Sequence, residues 1–162
     1  MARKKVYVET TVVSDATALP SNDLALAGRQ IVTRKWWMTA ANRFDLFCSD
    51  VVKREAERGD SDAARRRLSA LEGMAELKSS AEALTLAKKL LDGKAVPESY
   101  PDDALHIALA AVSCMDFLVS WNFKHITNAQ TIPRVKQICA ETGFPCPEIC
   151  TPYQLQHEGG DE

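Results

Sequence analysis

Four polar residues sit where a strand end or a helix start gains nothing from them unless something makes use of them. Glu9 ends Lys5-Val6-Tyr7-Val8-Glu9-Thr10, a short β-branched and aromatic run with the character of a strand. Asn122 directly follows a second such run, Phe117-Leu118-Val119-Ser120-Trp121. A carboxylate or amide beside a strand end costs desolvation unless a ligand or partner offsets it. Asp103 opens the most apolar helix of the chain, and helical spacing puts it in line with Ile107 and Ala110, beside the face expected to be buried. An acid aimed inward at such a helix start stabilises nothing unless it binds a cation. Glu55 lies one turn past Val51 and Val52, near the inward edge of its own helix, with Lys53, Arg54 and Arg58 around it.

The elements that must carry these residues alternate in type. After the first strand, Pro20-Ser21-Asn22-Asp23 reads as a turn and helix start, followed by a helix over 24–42. A second strand is expected over 44–48, then a helix capped by Ser49 and running to Gly59. Further helices are expected over 61–72, over 81–91 ended at Gly93, and from a capping box at Ser99-Tyr100-Pro101-Asp102 through Val112. Ala75 to Lys78 suits a third strand. The last helix is expected over 129–142, closed by Gly143, ahead of an edge strand over 148–150 and a short turn capped at Thr151-Pro152. Strands alternating with helices predict parallel pairing through right-handed crossovers, with helices on both faces. In such a sheet ligands sit outside the carboxyl ends of the strands, which is where Glu9 and Asn122 fall. One domain over residues 1–153 and a frayed tail over 154–162 are expected.

Bulk properties narrow the classes. The 162 residues suit one self-sufficient core, and 46% hydrophobic with 26% charged residues is ordinary for a folded chain rather than a disordered one. A net charge of −2 gives no global attraction to nucleic acid, so any such binding must come from local patches. No secretory signal or membrane-spanning run is visible. Five cysteines without a Cys-x-x-Cys pair argue against a disulfide framework or zinc site, and for reduced thiols in the cytoplasm.

Read together, the four regions resemble the PIN domain family. Val6-Tyr7-Val8-Glu9-Thr10-Thr11-Val12-Val13 is similar to the family's opening strand with its acid. Ser49-Asp50-Val51-Val52-Lys53-Arg54-Glu55 is similar to its second motif, a serine six residues ahead of a glutamate. Asp103-Ala104-Leu105-His106-Ile107-Ala108 resembles the third acidic motif, and Asp116-Phe117-Leu118-Val119-Ser120-Trp121-Asn122 the fourth. The resemblance implies a three-layer α/β/α sandwich with a central parallel sheet of four or five strands. It implies an acidic site for Mg²⁺ or Mn²⁺ and hydrolysis of RNA, with Glu9 and Asp103 as metal ligands and Glu55 either a ligand or the group orienting the water. Asn122 would hold a metal-bound water or a phosphate oxygen, and Thr10 a metal ligand or phosphate. Many members are VapC-like toxins, so an antitoxin protein and a homodimer are implied partners. The helix carrying Trp36-Trp37 could form that dimer's interface or pack on the sheet.

Substrate phosphates would be met by Arg54, Arg58 and Lys124, with Arg65, Arg66 and Arg67 as further candidates or simply a solvated face. Trp121 and Phe123 are read as core residues rather than base-stacking platforms. His106 lies three residues past Asp103, close to the spacing of some di-iron helices, but no second such pair exists, so it is read as a satisfied buried imidazole. His125 and His157 are expected to be exposed. Two departures keep a second reading open. Glu9 stands where the family usually has aspartate, and Asn122 where an acid is common, which suits a PIN fold that has lost catalysis and binds RNA or protein. A phosphatase-like hydrolase is a third reading.

Overall fold

The first strand is buried on both faces: Val6, Tyr7 and Val8 are all inaccessible to solvent, as befits the middle of a parallel sheet. The computed structural model describes residues 2–156. The sheet order is β3-β2-β1-β4-β5, built from β1 (Lys5–Val8), β2 (Asp45–Ser49), β3 (Ala75–Leu77), β4 (Phe117–Val119) and β5 (Glu148–Cys150), with every pairing parallel. Seven helices flank it: α1 (Thr10–Thr17), α2 (Leu24–Arg43), α3 (Asp50–Ala56), α4 (Ser61–Leu71), α5 (Ala81–Asp92), α6 (Pro101–Val112) and α7 (Ile132–Thr142). The architecture is the expected three-layer α/β/α arrangement, with α1 packed on α2, α3 and α4, and α5 on α6 and α7.

The chain builds β1, β2 and β3 outward in one direction, then returns to add β4 and β5 on the other side of β1. The order therefore reverses between β1 and β4, and the crevice beyond their carboxyl ends is the place such sheets offer a ligand. Most boundaries agree with the local chemistry. Ser49, Ser80 and Asp23 accept hydrogen bonds from the second or third backbone N–H of their helices, and Gly143 ends α7 in the left-handed conformation at φ 82°. Three expectations are corrected. Glu9 follows the end of the first strand, as expected, but is also the N-cap of α1, a helix absent from the expected elements. The box at Ser99 does not form, because Pro101 occupies the first helical position and Tyr100 precedes it without a side-chain cap. Asp102 turns instead to Arg54 and Arg58.

Helix α6 is buried from Ala104 through Ala111, including His106. The final residues of the domain fold back as a 3-10 turn, Pro152–Leu155, held by a reciprocal box between Thr151 and Gln154 and by Arg43 donating to the Leu155 carbonyl. Gln154 and Leu155 thus belong to the ordered body, while the tail from His157, read as frayed, lies outside the described residues. Among the described residues, no helix is long and apolar enough to cross a membrane.

Leu118 of β4 is completely buried between the helical layers. Leu118→Ala is expected to cost about 2–5 kcal/mol in urea unfolding; a loss under 1 kcal/mol would show that the layers close over the vacated space.

Candidate metal centre at the sheet's switch point

Glu9 leaves the end of β1 with 3% of its surface exposed. Its charge is met by hydroxyls rather than by an arginine or lysine. Ser120 Oγ donates to Glu9 Oε1 at 2.6 Å and Thr11 Oγ1 donates to the same oxygen at 2.5 Å, while the Thr11 N–H reaches Oε2 at 3.2 Å. Each hydroxyl is itself oriented by a backbone donor beyond β4: Asn122 N–H to Ser120 Oγ at 3.0 Å, and Trp121 N–H to Thr11 Oγ1 at 2.8 Å. Both protons are therefore aimed at the carboxylate. Burial nevertheless pushes the Glu9 carboxyl above its ordinary range, against the pull of His106 and of these hydroxyls.

Glu55 approaches from α3. Its Oε1 accepts from Thr10 Oγ1 at 2.7 Å and lies 2.5 Å from His106 Nε2. Burial opposes its ionisation, but the bond and charge of His106, the Thr10 hydroxyl and Arg58 outweigh it and hold the carboxyl below its ordinary value. His106, fully buried on α6, is the third member. Desolvation disfavours its charged form, yet Glu55 and Glu9, with Asp103 adding its charge, raise its pKa above the ordinary imidazole value. The other ring nitrogen, Nδ1, is 2.6 Å from the Tyr7 hydroxyl, which in turn lies 2.7 Å from Ser49 Oγ. Burial keeps the Tyr7 phenol protonated far above its usual pKa.

One ligating atom from each of Glu9, Glu55 and His106 fits within 4.8 Å of the others. Two carboxylate oxygens and an imidazole nitrogen at this spacing form a donor set that can hold a divalent cation. The cluster lies at the switch point, supplied by β1, α3 and α6.

The sequence reading brought Glu9 and Glu55 to this centre, and the structure places them together. Asp103, expected beside them, is not one of the three converging residues: its Oδ2 is 2.8 Å from His125 Nδ1, and Tyr100 packs over the His125 ring at 4.1 Å between centroids. The expectation of an exposed His125 is corrected accordingly. Asn122 spends its side-chain oxygen on the His125 N–H at 3.0 Å, closing the turn that follows β4. Thr10 faces Glu55. Arg54 and Arg58 both pair with Asp102, at 2.7 and 3.7 Å, while Lys124 is exposed. Arg66 and Arg67 donate to the backbone carbonyls of Thr17, Ala56 and Arg58, and Arg65 pairs with Asp62. Trp121 is a core residue as expected, but Phe123 is 52% exposed. His106 was read as a satisfied imidazole, which it is; that its partner is Glu55 was missed. Nothing within one helical turn of His106 signals that partner, since Glu55 lies 51 residues away.

The chain matches no protein-family model and no curated protein. What the site can do follows from its own residues.

The raised pKa of His106 carries a sign. Without metal, the native chain holds a proton that the unfolded chain releases near pH 6.5, so this stabilisation is complete below that pH and is lost as pH rises through the native value. Urea unfolding in EDTA is expected to show lower stability at pH 8.5 than at pH 6, with a flatter profile for His106→Gln. Glu9→Gln should raise the metal-free melting temperature at pH 7 by a few degrees, because it removes a buried charge; a lower melting temperature would mean that the hydroxyl donors outweigh the burial.

Proposed function

We propose that this protein is a PIN-type, metal-dependent endoribonuclease that hydrolyses RNA phosphodiester bonds. The observation that carries the reading is the convergence of Glu9, Glu55 and His106 within 4.8 Å at the carboxyl ends of the central strands. The order of the four sequence motifs and the α/β/α architecture support it. Glu9 and Glu55 would hold a divalent ion, Mg²⁺ or Mn²⁺, with His106 facing the same space. When bound, such an ion supplies Lewis acidity toward a phosphoryl oxygen and lowers the pKa of water.

The chain's own groups divide the remaining work. Ser120 and Thr11 fix the Glu9 carboxylate, and Thr10 fixes that of Glu55. The Asp103–His125 pair, 2.8 Å from Oδ2 to Nδ1, is a second acid and imidazole, its Asp103 one helical turn ahead of His106 on α6. Arg54, Arg58 and Lys124 would meet backbone phosphates, the two arginines by exchanging Asp102 for the substrate. Exposed Phe123, beside Asn122, offers a face on which a base can stack.

The same reading includes a cytoplasmic setting, consistent with five unpaired cysteines, and an antitoxin protein as partner if the chain is a toxin. A homodimer would use the face of α2 where Leu24, Ile31 and Met38 stand exposed at seven-residue spacing. A second reading, a PIN fold without catalysis that binds RNA or protein, is favoured by Asn122, whose side-chain oxygen serves a turn rather than the centre.

Single-stranded RNA incubated with the protein and Mn²⁺ or Mg²⁺ should be cut internally, and EDTA should stop the reaction. Glu55→Gln and Asp103→Asn are each expected to lower the rate by at least about 100-fold. RNA that is bound in EDTA and never cut with any divalent ion would favour the non-catalytic reading instead.

A further inference from the structure

Two carboxylates alone suit a hard cation, but the third group at this centre is a nitrogen. We propose that His106 is a direct ligand through Nε2, and that it makes the site selective for a first-row transition ion such as Mn²⁺ over Mg²⁺, an inference that rests on the metal-centre reading above. Mg²⁺ favours all-oxygen octahedral sites and gives up its water reluctantly. Imidazole strengthens binding of the transition ions, increasingly from Mn²⁺ up the Irving–Williams order.

The ring is built to present Nε2 and nothing else. His106 is fully buried, its Nδ1 is occupied by Tyr7 Oη at 2.6 Å, and its Nε2 points at Glu55 Oε1. Tyr7 is fixed in turn by Ser49 Oγ, which also accepts the Val52 N–H at 3.1 Å as the N-cap of α3. A ligating imidazole is normally held by a hydrogen bond from its other N–H, and Tyr7 can serve in either direction. With Nε2–H donating to Glu55, the Tyr7 hydroxyl donates to Nδ1 and Ser49 donates to Tyr7. With Nε2 on a metal, Nδ1–H donates to Tyr7 Oη and the Tyr7 proton turns to Ser49 Oγ. The two hydroxyls rotate to suit either tautomer, while the change of tautomer itself needs one proton released from Nε2 as the metal binds and one taken up at Nδ1, both exchanged with solvent. Tyr7 and Ser49 are positioning residues, since the Tyr7 hydroxyl bonds to Ser49 and His106 and the Ser49 hydroxyl to Tyr7 and the Val52 N–H, rather than to Glu9 or Glu55. An imidazole buried only for packing would not need its second nitrogen directed at a carboxylate oxygen of the cluster.

The test is pulsed electron paramagnetic resonance of the full-length protein loaded with Mn²⁺, together with calorimetric titration of Mn²⁺ and Mg²⁺. The wild type should show a directly coordinated nitrogen-14 nucleus and bind Mn²⁺ at least about 10-fold more tightly than Mg²⁺. His106→Gln should lose the nitrogen coupling and most of that preference. Tyr7→Phe should keep the coupling but weaken Mn²⁺ binding by about 10–100-fold; unchanged affinity would overturn its positioning role. Mn²⁺ bound by the wild type without nitrogen coupling, or a coupling that persists in His106→Gln, would overturn the ligand assignment while leaving the carboxylate site standing. Failure of the wild type to bind either ion would overturn both this inference and the metal-centre reading beneath it. The spectrum of the wild type decides the ligand even if the variants fold poorly.

Discussion

Burying a carboxylate at the end of the central strand of a parallel sheet is costly unless its lone pairs are met, and most of the fold around Glu9 serves that requirement. A lysine or arginine would meet it most directly, but would also neutralise the group and fill the space. The chain instead uses two neutral hydroxyls, one from the start of α1 and one from the end of β4, each with its own backbone N–H behind it. Neutral donors lower the cost of the buried charge without cancelling it. The carboxyl stays raised by burial, and a net attraction for a cation survives. Glu55 is treated similarly by Thr10. With His106 neutral, two carboxylates face one another with a combined charge of −2, which a divalent ion balances; without the ion, a proton on His106 offsets half of it.

The same web ties the centre to α2. Thr11, which fixes Glu9, also receives the Trp121 N–H, and the Trp121 indole donates to Thr33 of α2 at 2.8 Å. Arg29, one turn before Thr33, packs over the Trp121 ring and forms a two-pronged bond to buried Asp15 of α1. Such a bidentate pair fixes direction as well as distance. The helices that frame Glu9 are thus registered to each other through the residues beside it, so the position of its carboxylate is set by packing rather than by a mobile loop.

Much of this was legible in the chain. The strand pattern around residues 5–8, the caps at Ser49 and Ser80, and the acids at strand ends and helix starts report local chemistry, and local chemistry is what sequence spacing encodes. Three of the misreadings share one cause: each depended on a contact between residues distant in the chain. Asp102 looked like a capping residue until two arginines from α3 claimed it. Asp103 looked like a ligand because its place one turn ahead of Ile107 aims it inward, but His125, from the loop after β4, meets it first. His106 gave no sign of its partner because Glu55 lies 51 residues away and faces it only when α3 packs on α6. Phe123, expected in the core, is exposed because it lies in the turn after β4, and hydrophobic character does not distinguish a turn residue from one within a strand.

The basic residues show the same limit from the electrostatic side. A run such as Arg65-Arg66-Arg67 beside an acidic site invites a phosphate-binding reading, yet Arg66 and Arg67 bind backbone carbonyls near the ends of α1 and α3 and so close α4 against the rest of the layer. Arginines engaged with carbonyls keep their positive charge but are held in place by those bonds. Arg54 and Arg58 differ, because their partner Asp102 is partly exposed and an ion pair in that setting is worth little. A phosphate can displace such a partner at small cost. Net charge and sequence spacing do not separate arginines that close a helix onto its neighbours from those held only by a partly exposed acid.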